Sequence, residues 1–154
     1  MPAVAVGQRR ARLPAELPEE PTQARRFSKA RSAQSSALLE DYAELIADLL
    51  ASVGEARPVE IARRLGVSHA TVAKSVARLK REGLVTARPY RGVFLTEAGR
   101  ALAERVRARH RLVVDLLVAL GVPLEAAEAD AEGIEHHVSD VTLKSFARFL
   151  HART

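Results

Sequence analysis

Asp130-Ala131-Glu132-Gly133-Ile134-Glu135-His136-His137 sets three carboxylates and two imidazoles within eight residues. If the segment is helical, Glu135 and His136 stand three and four positions after Glu132, so the three side chains share one face a turn apart. Carboxylate oxygens and imidazole nitrogens grouped in this way are ligands for a divalent cation. From Glu125 to Asp140 there are six acidic residues and no Lys or Arg, so no nearby side chain supplies the counter-charge that a cation would bring. An acidic, solvated helix with incidental histidines accounts for the same residues, and the motif alone does not decide between the two.

The ligand chemistry is bounded by composition. The chain of 154 residues has no Cys, and Met1 is its one Met, so thiolates and thioethers are absent and a metal site must be carboxylate plus imidazole. That length suits one or two small domains sharing a core. No apolar run approaches the ~20 residues of a membrane span, and Arg9-Arg10 is not followed by an apolar signal region; the expectation is a cytoplasmic protein with no membrane partner. The net charge of +5 is local: residues 57–91 carry nine basic residues against Glu60 and Glu82, whereas residues 37–56 carry five acidic residues and no basic one. Concentrated basicity is the electrostatic footprint of nucleic-acid binding, and here it adjoins a region suited to cations.

The elements that must position these groups follow from periodicity. Residues 1–36 are rich in Ala, Arg, Pro, Ser and Gln without a sustained apolar period, and they read as a disordered basic N-terminal arm. Leu38, Leu39, Tyr42, Leu45, Ile46, Leu49, Leu50 and Val53 recur at helical spacing, and Gly54 ends the helix. Asp41 and Glu44 are neighbours on its polar flank, a pair that by itself reads as solvated surface. A short helix from Pro58 to Leu65, the turn Gly66-Val67 and the N-cap Ser68 of a second helix make a helix-turn-helix. On that second helix Val72, Val76 and Leu79 fall on one arc, with Thr71, Lys74, Ser75 and Arg78 opposite. With Ser68 and His69 at its start, the polar face fits the major groove of double-stranded DNA, its first turn reading base edges and Lys or Arg holding phosphates.

Leu84–Ala87 and Val93–Thr96 predict a strand pair, a wing whose tip carries Arg88 and Arg91 towards backbone phosphates. Thr96 caps a long helix with Leu102, Val106, His110, Val113 and Leu117 in one stripe; alone, His110 reads as a core histidine. Ser139 caps a last helix whose Val141, Leu143, Phe146, Phe149 and Leu150 are too apolar for a lone terminal helix and predict burial against a partner subunit. The fold class is therefore mainly α: a winged helix-turn-helix DNA-binding domain over residues 37–99, then an all-helical dimerisation and metal-binding domain over residues 100–154.

Glu40-Asp41-Tyr42-Ala43-Glu44, Leu65-Gly66-Val67-Ser68, Tyr90-Arg91-Gly92-Val93-Phe94-Leu95-Thr96, Arg109-His110 and Glu132-Gly133-Ile134-Glu135-His136-His137 occur in this order. In these pieces the chain, from about Leu38 onwards, resembles the manganese transport regulator family, a compact branch of the diphtheria toxin repressor superfamily. The resemblance implies a binuclear site with Asp41, Glu44, His110, Glu132, Glu135 and His136 as ligands. It further implies Mn²⁺ as the ion, with Fe²⁺ or another divalent cation as the alternative, because iron-sensing relatives carry Met where Asp41 stands. The implied function is a Mn²⁺-responsive repressor controlling manganese homeostasis, binding operator DNA as a homodimer when metal-loaded, with no small-molecule substrate beyond the metal. The N-terminal arm has no counterpart in that family, and Ala70 stands where Pro is common. An iron-responsive regulator and a metal-indifferent winged-helix protein are the other readings. A small metallohydrolase is disfavoured because only His137 and Asp130 are left to act as a base, and the basic helix-turn-helix would have no role.

Overall fold

The computed structural model describes residues 17–154. Six helices and one two-stranded sheet follow in the order α1 (Glu20–Val53), α2 (Pro58–Leu65), α3 (His69–Arg81), β1 (Val85–Arg88), β2 (Gly92–Leu95), α4 (Glu97–Ala119), α5 (Leu124–Ile134) and α6 (Asp140–His151). The mainly helical, winged class expected from the sequence is the one found.

α1 begins earlier than expected. Residues 20–36, expected to be disordered, are helical and continuous with residues 37–53, while residues 1–16 of the expected arm lie outside the described part. The stretch lacks an apolar stripe, but it needs none: Pro21 stands in the first turn with Glu20, and Ala, Arg, Gln and Lys are strong helix formers. Nucleation is the costly step of helix formation, and the packed half downstream has already met that cost. Of this helix only Tyr42, Ala43, Ile46 and Leu49 are buried.

Two cores are strung along α4. Tyr42, Ala43, Ile46 and Leu49 of α1 pack with Ile61, Val72, Val76, Leu79, Val85, Val93, Leu95 and Ala103. Val113 and Val114 of α4 pack instead with Ala127, Ala131 and Leu143. α4 thus runs from the winged half into the helical half, and α1 lies against it. Leu143 is buried, and Phe146 packs on the second core of its own chain, which corrects the expectation that both wait for a partner. On α6 it is Val141 and Phe149 that remain exposed.

The wing is an antiparallel pair with Val85 opposite Leu95 and Arg88 opposite Gly92. Two glycines let it dock. A β-carbon on Gly92 would lie 2.6 Å from the Ala56 carbonyl oxygen, and one on Gly99, in the first turn of α4, would lie 2.0 Å from that of Leu84. Thr96 locks the same corner, accepting from Gly99 N at 3.1 Å and donating to the Gly83 carbonyl at 2.7 Å. The severe contact at Gly99 is with backbone, so moving the Leu95 side chain, 3.0 Å away, would not relieve it. Gly99→Ala is expected to destabilise the protein by at least about 2 kcal/mol, read as a lowered urea midpoint, whereas Gly133→Ala, in helix α5 with open space around it, should leave the midpoint unchanged or raise it, since Ala is the better helix former.

Candidate metal centre and nucleic-acid interface

α5 ends at Ile134, Glu135 is its C-cap, and His136 follows in a turn. The helix thus carries Glu132 and aims Glu135 into the protein from its end. Glu135 is fully buried. His110, on α4 where it passes between the two cores, puts Nδ1 2.8 Å from Glu135 Oε2 and 3.6 Å from Glu132 Oε1. Its Nε2 lies 2.7 Å from Glu128 Oε2. His136 turns towards α1, with Nδ1 2.6 Å from Glu40 Oε2 and Nε2 2.9 Å from Asp41 Oδ1.

The sequence-derived set therefore converges as two clusters that share one carboxylate. Asp41, Glu135 and His136 form one, and His110, Glu132 and Glu135 form the other, each able to present its ligand atoms within 4.8 Å of one another. Glu44 belongs to neither. It lines, with Asp41, Asp48 and Glu132, a groove of about 250 Å³ that opens onto the clusters.

Glu40 and Glu128 were missed as partners of the histidines. Glu40 also accepts from Arg109 Nη2 at 2.5 Å, so it holds the Nδ1 side of His136 and leaves Nε2 pointing inwards. Such an outer partner fixes which ring nitrogen is offered to a metal. The sequence signal was weak: Glu40 adjoins Asp41, and Glu128 stands one turn before Glu132.

Burial pushes the Glu135 carboxyl up to about 7. The Asp41 carboxylate beside Nε2, with the Glu40 bond at Nδ1, pushes His136 up to about 10. Burial alone would lower His110, but its bonds to Glu128 and Glu135 outweigh that and the net shift is upward. Burial and the nearby Glu132 carboxylate raise Glu44. Burial acts to raise Glu40 too, yet His136 and Arg109 hold it below the usual carboxylate range.

Two atoms stand out. Glu135 Oε1 has no hydrogen-bond partner, and neither does His136 Nε2, whose 2.9 Å approach to Asp41 is out of line for a hydrogen bond. A buried polar atom left unpaired costs about 1–3 kcal/mol, and both face the same space. The donors there are oxygen and nitrogen only, so the chemistry of the residues fits a hard divalent cation.

The nucleic-acid face is distinct. Ser68 caps α3, accepting from Thr71 N at 3.1 Å, and His69, Thr71 and Lys74 are exposed beyond it. Ser75, expected on that face, is 5 % exposed and belongs to the inner side with Val72 and Val76; it lies one turn after Thr71, but the arc facing the core is wide enough to include it. Arg78 donates to the Ser35 carbonyl at 3.2 Å and to Ser35 Oγ at 3.0 Å. On the wing, the Arg88 guanidinium lies 5.1 Å from the Phe94 ring centre, Arg91 is exposed, and Tyr90 at the tip adopts a left-handed φ of 66°. Arg57, Arg63 and Arg64 pair with Glu55 or Glu60. Among the described residues, the cations of this segment outside ion pairs therefore all lie on α3 and the wing.

Comparison with known proteins agrees with this division of labour. Residues 35–93 match the N-terminal DNA-binding domain of the iron dependent repressors, and residues 96–154 match their metal binding and dimerisation domain. Fold and matched domains together define a winged-helix DNA-binding protein with a metal-binding, dimerising second half. The chain is 52 % identical over 123 residues to the transcriptional regulator MntR of Escherichia coli O6:H1, covering 80 % of this chain and 79 % of that one. The manganese regulator SloR aligns with a TM-score of 0.66 at 32 % identity, over 73 % of this chain and 53 % of that one. A manganese-dependent transcriptional repressor in complex with manganese aligns with a TM-score of 0.67 at 32 % identity, over 73 % and 52 %. The chain spans about half the length of these two solved structures. It belongs to the MntR family of transcriptional regulators.

The raised groups give a signed pH dependence. In the metal-free protein, stability contributed by protonated Glu135 is fully present below the unfolded value near 4.5 and lost as pH rises through about 7. Metal binding runs the other way, because a ligand must first shed its proton. The melting temperature of metal-free protein is expected to fall from pH 5 to pH 7, and Glu135→Gln to flatten that fall. Over the same range Mn²⁺ affinity of the wild type should rise, with proton release detectable by calorimetry in buffers of different ionisation enthalpy. A Mn²⁺ affinity independent of pH would refute the assignment of Glu135 as a ligand.

Proposed function

We propose that the chain is a manganese-responsive transcriptional repressor of the cytoplasm, not an enzyme, which binds double-stranded operator DNA as a homodimer. Asp41, Glu44, His110, Glu132, Glu135 and His136 hold the metal as a binuclear centre, and Ser68, His69, Thr71, Lys74, Arg78, Arg88 and Arg91 face the DNA. The observation that carries the reading is the sharing of buried Glu135 between two carboxylate–imidazole clusters, with one oxygen of Glu135 and one nitrogen of His136 left without partners.

When bound, the cation supplies the positive charge that these carboxylates lack. The chain's own residues do the rest. Asp41 and Glu44 stand on the turns of α1 that also bury Tyr42, Ala43 and Ile46 in the winged core; Glu132, Glu135 and His136 stand at the end of α5, which packs on α4. Drawing the two groups together sets the winged half against the helical half, and with it the spacing of two recognition helices in a dimer. A tenfold preference of the ion for the DNA-competent arrangement corresponds to about 1.4 kcal/mol of coupling.

The test is binding to a duplex that the protein selects from a random-sequence pool, titrated with Mn²⁺ and, anaerobically, with Fe²⁺. Wild type is expected to bind with Mn²⁺ and to lose binding on chelation; retention of full affinity under chelation would sink the reading. Asp41→Met replaces a hard oxygen by a thioether and is expected to move the activation ratio towards Fe²⁺.

For the dimer, Val118, Leu120, Leu124, Val141 and Phe149 leave apolar side chains exposed on the helical half, the kind of surface that a partner subunit covers. Val141→Asp with Phe149→Asp is expected to yield folded monomers by sedimentation, since neither side chain is needed in its own core. Dimers of unchanged stability would place the interface elsewhere.

A further inference from the structure

α1 carries opposite charges on its two halves. Residues 38–53 hold Glu40, Asp41, Glu44 and Asp48 with no Lys or Arg; residues 21–37 hold Arg25, Arg26, Lys29 and Arg31 with no Asp or Glu. The acidic half is the one at the metal centre. Nothing so far described employs the basic half. Its side chains are exposed, and among the described residues none of the four cations forms an ion pair.

Helix stability does not select this pattern. Arg25 and Lys29 are four apart and Arg26 and Lys29 three apart, and like charges at these spacings repel on a helix surface. No carboxylate stands three or four residues from any of the four to offset that. Nor does packing select it, since the segment buries no side chain.

The structure fixes where this half sits. Ser35 accepts two hydrogen bonds from Arg78, a residue of the recognition helix. Arg25, Ser28, Arg31 and Ser35 follow one another at three- and four-residue steps, with Ser32 beside Arg31, so they lie along one side of α1 and end at that contact. From Ser35 back to Arg25 is ten residues, about 15 Å of rigid helix. A row of guanidinium groups and hydroxyls leading away from the DNA-facing helix matches the donors that proteins direct at phosphates.

We propose that the N-terminal half of α1 is a second DNA-contacting element, a phosphate-binding rail that lengthens the footprint of each winged domain along duplex DNA flanking the site read by α3. It rests on the reading of α3 and the wing as the DNA face.

The experiment compares Mn²⁺-loaded wild type with the full-length variant Arg25→Gln/Arg26→Gln/Lys29→Gln/Arg31→Gln on the duplex selected by wild type, with and without ten flanking base pairs on each side. Gln keeps helix propensity, and circular dichroism checks that. Wild type is expected to bind the longer duplex more tightly and to protect flanking sugar-phosphate positions from hydroxyl radical. The Gln variant should lose that protection, bind both duplexes alike, and lower the slope of log K against log salt by roughly 0.9 per lost contact. The variant Arg25→Lys/Arg26→Lys/Arg31→Lys, which keeps the charges, should retain the wild-type slope. If wild type binds and the Gln variant shows the same slope and footprint, the rail is wrong while the DNA face stands; if wild type binds no duplex, the DNA face is wrong and the rail falls with it.

Discussion

Glu135 holds a carboxylate at zero solvent exposure, where an ionised group costs several kcal/mol unless positive charge reaches it. Only His110 and His136 approach: Oε2 lies 2.8 Å from His110 Nδ1, whereas Oε1, 3.5 Å from His136 Nε2, has no hydrogen bond. Much of the surrounding structure is arranged by that demand. α4 must bring His110 to one side; α1 must come close enough for Asp41 and Glu40 to meet His136; and Arg109, beside His110, must turn to Glu40. The two hydrophobic cores are each served by their own residues, so the polar junction is what makes the geometry between them specific.

The helix termini show the same demand. α2, α3 and α6 each end with Arg, Lys or His in their last turn, which suits the negative end of the helix dipole. α1, α4 and α5 have none. Of these three, α5 is the one whose C-terminus lies at the candidate ligands. At α5 the contrast is strongest, because Glu132 and Glu135 stand where a cation would be favourable. The end of α5 thus carries a local conflict that a bound divalent ion would relieve.

How much of this was legible in the sequence differs from element to element. The winged helix-turn-helix was, because Gly66, Ser68, Gly83 and Thr96 mark its turns and caps and its apolar positions keep period. The types of donor that a metal site could use were legible as well, since the absence of Cys confined them to oxygen and imidazole. Glu40 and Glu128 were not, because a partner that acts through a histidine has no spacing of its own; it is chosen by how α1, α4 and α5 cross. Ser75 was placed on the wrong side because a hydroxyl reads as polar whichever way it points. The early start of α1 escaped because periodicity reports burial, and residues 20–36 form helix without burying anything.

α1 then becomes the member through which ion and DNA must act on each other. The turns that carry its candidate ligands are also its core-forming turns: Asp41 precedes Tyr42 and Ala43, and Glu44 precedes Ile46 by two residues. A shift of these carboxylates cannot be absorbed by surface rotamers without moving side chains in a close-packed core. That core includes Val72, Val76 and Leu79 on the inner face of α3, whose other face carries Lys74 and Thr71. On the proposed function the coupling would be reciprocal: whatever DNA does to fix α3 against α1 would change the affinity of the metal centre by the same factor. A single helix reaching from the candidate metal-centre carboxylates to Ser35 beside Arg78 would give that reciprocity a continuous physical path.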